Sequence, residues 1–235
     1  MTHALYMNDC YLKEFTAIVV SVKDGKYVVL DQTAFYPKSG GVDCDIGTLT
    51  TENGTTYNVV FVGKFSGEIS HEVNKSGLKA GDNVKGVLDW DRRYLLMRYH
   101  TGAHVLSGVL SQDAGAKITG NDLSVDKGRI DFDCEEYDRE KLLQYIEKAN
   151  TLISEDLPIK IYSLTRAEAD PLIFKLAKAM PDHMTEFRIM DIVGFDRQAD
   201  GGAHVKSLRE VGKIEFIKSE NKGKNNRRVY FKITP

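Results

Sequence analysis

Through the first ninety residues, hydrophobic and polar positions change over in short runs of strand length. Residues 16–22 and 26–30 are β-branched stretches, and Asp24-Gly25 between them is a pair favoured in two-residue hairpin turns. Asn53-Gly54 is expected to make a second such turn, between strands at 47–50 and 55–62. A further strand is expected at 84–88. Residues 74–83, with their glycines and serine, read as a surface loop. Many short strands with glycine turns and no helical period predict a small barrel or sandwich.

The pattern changes at Asp89-Trp90-Asp91. Asp91 reads as an N-cap, and a helix is expected from 92 to about 110. Gly102 and Gly108 each weaken that helix by roughly 1 kcal/mol relative to alanine. Tertiary packing must therefore hold it, or the glycines admit another backbone or a ligand. Residues 129–133 alternate as a strand does. Leu142, Ile146, Ala149 and Ile153 recur at helical spacing, which predicts an amphipathic helix starting near Asp138. Strands are expected at 159–162, 187–193, 213–217 and 228–233. Thr165-Arg166-Ala167-Glu168 has the form of a capping box, and Asp170-Pro171 offers an alternative helix start. The change of pattern predicts a β-barrel domain over 1–90 and an α+β domain over 91–235.

Composition adds mainly exclusions. A chain of 235 residues, 42% hydrophobic and 28% charged, is ordinary for a soluble protein and can build a sizeable core. No apolar run approaches the roughly 18 residues of a membrane span. The start, Met1-Thr2-His3-Ala4-Leu5-Tyr6, lacks the pattern of a signal peptide. Cys10, Cys44 and Cys134 are odd in number and far apart, against both a disulfide framework and a cysteine-only zinc knuckle. A reducing, cytoplasmic location is expected, with no membrane and no obligate protein partner. The net charge of −2 gives no global pull on nucleic acid, so any such binding needs a local basic patch.

Three stretches can carry chemistry. In Arg98-Tyr99-His100-Thr101-Gly102-Ala103-His104, two histidines four apart share one helix face. About a hundred residues on, Asp200 and His204 flank a Gly201-Gly202 turn. Three imidazoles and one carboxylate suit zinc, in a closed structural site or one that keeps a position for water. Thr101 stands where a zinc protease motif has its general-base glutamate, so peptidase chemistry is not expected. The second stretch runs over 32–41 and ends in Gly40-Gly41; it reads as a hairpin loop with Phe35 and Tyr36 buried, or as backbone N–H groups held for an anion. The third is a basic segment carrying Lys218, Lys222, Lys224, Arg227, Arg228 and Lys232 against one acid, Glu220. It reads as a solvated hairpin loop or as a clamp on a nucleic acid backbone.

Taken in order, Thr33-Ala34-Phe35-Tyr36-Pro37 with Gly40-Gly41, His100-Thr101-Gly102-Ala103-His104, Arg129-Ile130-Asp131-Phe132, Asp200-Gly201-Gly202-Ala203-His204 and Asn226-Arg227-Arg228 resemble the AlaX family, the freestanding relatives of the alanyl-tRNA synthetase editing domain. The resemblance spans nearly the whole chain. It implies a small N-terminal β-barrel domain followed by an α+β editing domain of the threonyl/alanyl-tRNA synthetase type that binds one zinc ion. It implies hydrolysis of serine, and in some members glycine, wrongly attached to the alanine tRNA. His100, His104 and His204 would be metal ligands, with Asp200 at the position where the family usually has cysteine. Thr119, in Ala116-Lys117-Ile118-Thr119-Gly120, falls where members place a side chain that reads the substrate hydroxyl. Gly40, Gly41, Lys222, Lys224, Arg227 and Arg228 are the expected tRNA contacts. Val42 departs from the family's usual Gly-Gly-Gln.

Such chemistry has physical sense. A site built to hydrogen-bond a hydroxyl rejects the analogue that lacks it, so serine can be accepted while alanine is spared. Two other classes stay open: a non-catalytic RNA-binding module with a structural metal, and a deacylase for another mischarged tRNA.

Overall fold

The computed structural model of the chain describes residues 2–134, 138–168, 185–223 and 225–235. Two compact units divide it, Met1–Leu96 and Met97–Pro235. No described helix is long and apolar enough to cross a membrane.

The first unit holds β1 (His3–Ala4), β2 (Glu14–Lys23), β3 (Tyr27–Leu30), β4 (Gln32–Thr33), β5 (Gly47–Thr51), β6 (Thr56–Phe65), β7 (Glu68–Val73) and β8 (Asn83–Leu88). A closed barrel runs β2-β3-β7-β6-β5-β8, and β1 pairs in parallel with β4. Period-2 burial builds its interior: Phe15, Ala17 and Val19 point inward from β2, Val84 and Leu88 from β8. Asp24 and Gly25 both take positive φ, as expected for a two-residue turn, and Lys26 N–H donates to the Lys23 carbonyl at 3.1 Å. The second turn differs from expectation. Of Asn53 and Gly54 only Gly54 has positive φ, and Thr51 N–H donates to Thr55 C=O. Glu52-Asn53-Gly54 is thus a three-residue loop with glycine at the left-handed position. β7 went unseen because one of its inward residues is a histidine. His71 is fully buried, its Nε2 2.8 Å from Thr33 Oγ1 and its Nδ1 3.0 Å from the Val28 carbonyl.

Helix α1 (Trp90–Ala114) starts two residues before its expected first residue. Its cap is Asp89, not Asp91: the Asp89 carboxylate accepts from Arg92 N–H at 3.1 Å and its carbonyl from Arg93 N–H at 3.0 Å. Arg93 turns back into the barrel unit and is 1% exposed. Its guanidinium pairs with Asp45 and donates to the carbonyls of Cys10 and Ala34. Asp45 in turn accepts from Tyr36 N–H at 2.6 Å, so the aromatic loop after β4 is held by a buried, well-partnered ion pair.

The second unit is α+β. It contains most of α1, then β9 (Lys117–Leu123), β10 (Gly128–Asp133), α2 (Arg139–Ser154), β11 (Ile159–Thr165), β12 (Glu186–Ile192), β13 (Asp196–Ala199), β14 (Lys213–Asn221) and β15 (Asn226–Thr234). One sheet runs β14-β15-β10-β9 and another β11-β12-β13. Asp138 caps α2 as expected, accepting from Glu140 and Lys141 N–H, and the four apolar residues named from spacing are all buried. The glycines of α1 do admit close neighbours, and these are side chains. A Cβ on Gly102 would meet Ile233 at 3.0 Å and Val211 at 3.2 Å; one on Gly108 would meet Phe195 at 2.7 Å. At Thr165, the Glu168 carboxylate accepts from both the N–H and the hydroxyl, closing a turn at the end of β11. Asp170-Pro171 lies outside the described residues.

Candidate metal centre

His100 and His104 project from α1 one turn apart, both buried. The second half-site follows β13, where the chain leaves the sheet at Ala199. Asp200 there folds onto its own backbone: Gly202 N–H donates to Asp200 Oδ1 at 2.5 Å, an Asx turn. Arg188 on β12 holds the same turn from below, its Nη1 donating to the carbonyls of Asp200 and Gly202. Gly202 has ordinary φ but no room for a side chain, because a Cβ would overlap the His100 ring. That close approach brings the two half-sites together.

One ligand atom from each of His100, His104, Asp200 and His204 lies within 4.8 Å of all the others. Asp200 Oδ2 is 3.6 Å from Nε2 of both His100 and His104, and Oδ1 is 3.0 Å from Nε2 of His204. Metal bonds of about 2.0–2.1 Å in a tetrahedral shell put donor atoms roughly 3.3 Å apart, close to the 3.0–3.6 Å between Asp200 and the three imidazoles, so this set could hold a single small divalent ion. Burial pushes His100 and His204 below the usual imidazole range. They stay neutral at pH 7, as a ligand must. Burial also opposes the charge on Asp200, but the neighbouring imidazoles outweigh it and hold its carboxyl well below the usual carboxylate range. His204 Nδ1 faces the hydroxyl of Thr101 at 3.2 Å.

None of the other residues singled out from sequence belongs to this group of four. Thr119 is exposed on the edge strand β9, at the irregularity between β9 and β10, and its hydroxyl donates to Asn226 Oδ1 at 3.3 Å. Gly40 and Gly41, in the first unit, both take positive φ at an exposed turn closed by paired Ser39 and Val42 hydrogen bonds. The basic segment is largely strand, with its turn after Asn221. Arg227 is buried and donates to Asn221 Oδ1 and the Gly223 carbonyl, both at 2.8 Å. Arg228 makes a two-bond pair with Asp131 at 2.7 and 2.8 Å. Lys222 pairs with Glu220 at 2.8 Å and is 39% exposed. Lys224 lies outside the described residues. Arg188 and Thr101 escaped notice as partners of the site. The signal for each was a polar residue inside an otherwise buried run.

The alanyl-tRNA editing protein AlaX-M of Methanosarcina barkeri is 48% identical over 99% of this chain and 99% of its own length. That of Saccharolobus solfataricus is 44% identical over the whole of both. The chain belongs to the AlaX family of alanyl-tRNA editing proteins. The AlaX chain also matches the alanine–tRNA ligase of Pyrococcus abyssi at 37% identity, over 98% of its own length and 26% of the ligase. A family model of class II (A) tRNA synthetases matches residues 6–92, and one of the threonyl and alanyl tRNA synthetase second additional domain matches residues 187–230. The latter match includes Arg188, Asp200 and His204.

Proposed function

We propose that this AlaX protein is a trans-editing deacylase that hydrolyses serine, and in second place glycine, from mischarged alanine tRNA, with one zinc ion at His100, His104, Asp200 and His204. Residues 1–90 would form the barrel domain and 91–235 the editing domain. The observation that carries the reading is the convergence of four candidate ligand atoms from two half-sites a hundred residues apart, in a chain that aligns end to end with alanyl-tRNA editing proteins.

The substrate is an activated ester on the terminal ribose, and its hydrolysis needs a water nucleophile and stabilisation of the developing oxyanion. His100, His104, Asp200 and His204 would hold a divalent ion, which would supply polarisation of the carbonyl or a water of lowered pKa. The three imidazoles supply neutral donors, and Asp200, ionised, brings the single negative charge of the set. Thr119 reads the serine hydroxyl: its own proton is given to Asn226, which leaves its oxygen to accept. Alanine offers nothing to that oxygen and is spared. Gly40, Gly41, Lys222, Lys224, Arg227 and Arg228 are assigned to the tRNA, Arg227 through shaping the hairpin turn.

The test is a deacylation panel with seryl, glycyl and alanyl esters of alanine tRNA and seryl ester of threonine tRNA, before and after chelation. Hydrolysis of the seryl and glycyl esters of alanine tRNA, lost with the metal and restored by zinc, supports the reading. RNA binding without hydrolysis of any ester would instead make the chain a binding module with a structural metal.

A further inference from the structure

Thr101 sits between the two histidines of α1 and is fully buried. Its hydroxyl oxygen lies 3.2 Å from His204 Nδ1 and accepts from Val205 N–H at 3.4 Å. It therefore ties the helix half-site to the half-site that follows β13. We propose that Thr101 is a positioning residue of the metal centre, whose hydroxyl holds the His204 ring through Nδ1 and satisfies that nitrogen in either tautomer. The proposal rests on the metal reading above.

An ionised carboxylate can only accept. With Asp200 Oδ1 at 3.0 Å from Nε2, metal-free neutral His204 carries its proton on Nε2 and gives it to Asp200. Nδ1 then has a bare lone pair and accepts from the Thr101 hydroxyl. A ligand histidine must offer the Nε2 lone pair, so its proton resides on Nδ1 and is donated to the Thr101 oxygen, the hydroxyl having rotated away. The ring is neutral in both forms; one proton leaves Nε2, one joins Nδ1, and the count is unchanged. A hydroxyl serves both forms because it donates and accepts. Valine has the same outline and does neither, which leaves Nδ1 buried and unpaired whichever tautomer is present. The sequence position has a logic too: residue 101, one past His100, faces across the seam toward residues 204 and 205.

The experiment compares parent protein, Thr101→Val, Thr101→Ala and Thr101→Ser by zinc competition with a chromophoric chelator. It also reads histidine 15N shifts in metal-free and zinc-loaded samples. Loss of the hydroxyl should weaken zinc binding about 10- to 100-fold, as removal of a ligand's hydrogen-bond partner does, while Thr101→Ser stays within about threefold of the parent. In the parent, His204 should change from Nε2–H to Nδ1–H on loading. Alanine backs up valine should the latter fail to give a cooperative melt. Parent-like affinity in a folded hydroxyl-free variant, or one unchanged His204 tautomer in the parent, overturns the proposal. A parent that binds no zinc overturns the metal assignment itself, and the proposal falls with it.

Discussion

Arg188 grips the turn that carries Asp200 from three sides. Its Nη1 donates to the Asp200 carbonyl at 2.9 Å and the Gly202 carbonyl at 2.8 Å, while its own carbonyl accepts from Asp200 N–H at 3.0 Å. The carboxylate is thus aimed by a backbone that a strand side chain holds in place. Arg188→Met removes the two side-chain bonds to this turn, and metal affinity should fall about 10- to 100-fold. Arg188→Lys, which keeps a charged donor, should lose less. Zinc competition against a chelator gives both values, and equal affinity in all three proteins would show that the turn holds itself.

As a candidate ligand Asp200 brings an oxygen donor, which makes the donor set harder and less selective for zinc than a thiolate would. Asp200→Cys should raise zinc affinity, and Asp200→Asn should lower it. Zinc retained after dialysis against a graded chelator measures the order. If the three proteins keep zinc equally, Asp200 is no ligand.

Thr119→Val keeps the outline of the side chain and removes the hydroxyl. Hydrolysis of the seryl ester should fall more than that of the glycyl ester, read as the ratio of kcat/KM values. An equal fall on both would mean that Thr119 supports the bulged edge of β9 and reads nothing.

The hairpin of β14 and β15 should separate RNA contact from fold. Lys222 is half-exposed and can exchange Glu220 for a phosphate, so Lys222→Ala should make the salt dependence of tRNA binding shallower by about one unit of slope. Arg227 is buried against its own turn. Arg227→Ala should lower the melting temperature as well as weaken tRNA binding. An unchanged salt slope in Lys222→Ala would leave the segment as a solvated hairpin.

His71 predicts an acid limit for the barrel. Burial pushes its pKa down to about 4, against about 6.5 in an unfolded chain. Between those values the unfolded chain binds the proton and the folded one does not, so stability rises with pH there. The contribution is present in full above about pH 6.5, is lost as pH falls toward about 4, and amounts to on the order of 3 kcal/mol. Urea unfolding near pH 7.5 and near pH 4.5 should show this loss in the parent, and His71→Gln should show a smaller one.

The strands and helices that were most legible in the sequence are those whose buried positions are mostly apolar. β2 and β8 alternate plainly, and α2 shows its buried Leu142, Ile146, Ala149 and Ile153 at helical spacing. β7 and β13 place polar residues inward. His71 is paired with Thr33 and Val28, and Gln198 donates to Asp196. Each such residue reads as exposed until its partner is known, and the partners of His71 lie in two other strands. β9 was hidden for another reason: an edge strand with one buried residue, Leu123, has little alternation to show. The helix start moved from Asp91 to Asp89 because both aspartates can cap, and only the course of the backbone selects between them.

The candidate site divides along the same line. Its residue types and local spacings are matters of sequence: a four-residue interval puts His100 and His104 on one helix face whatever the rest of the chain does. Convergence is not local. It depends on Gly202 lying against the His100 ring, on Arg188 holding the turn, and on Thr101 reaching His204 across 103 residues of chain. The same holds for the charges of the basic segment, where Arg228 finds Asp131 and Arg227 its own turn. By itself the sequence determined which groups were available and at what local spacing. Tertiary structure decided which of them meet, because hydrogen bonds and close packing act over a few ångströms and only the folded backbone brings distant segments that near.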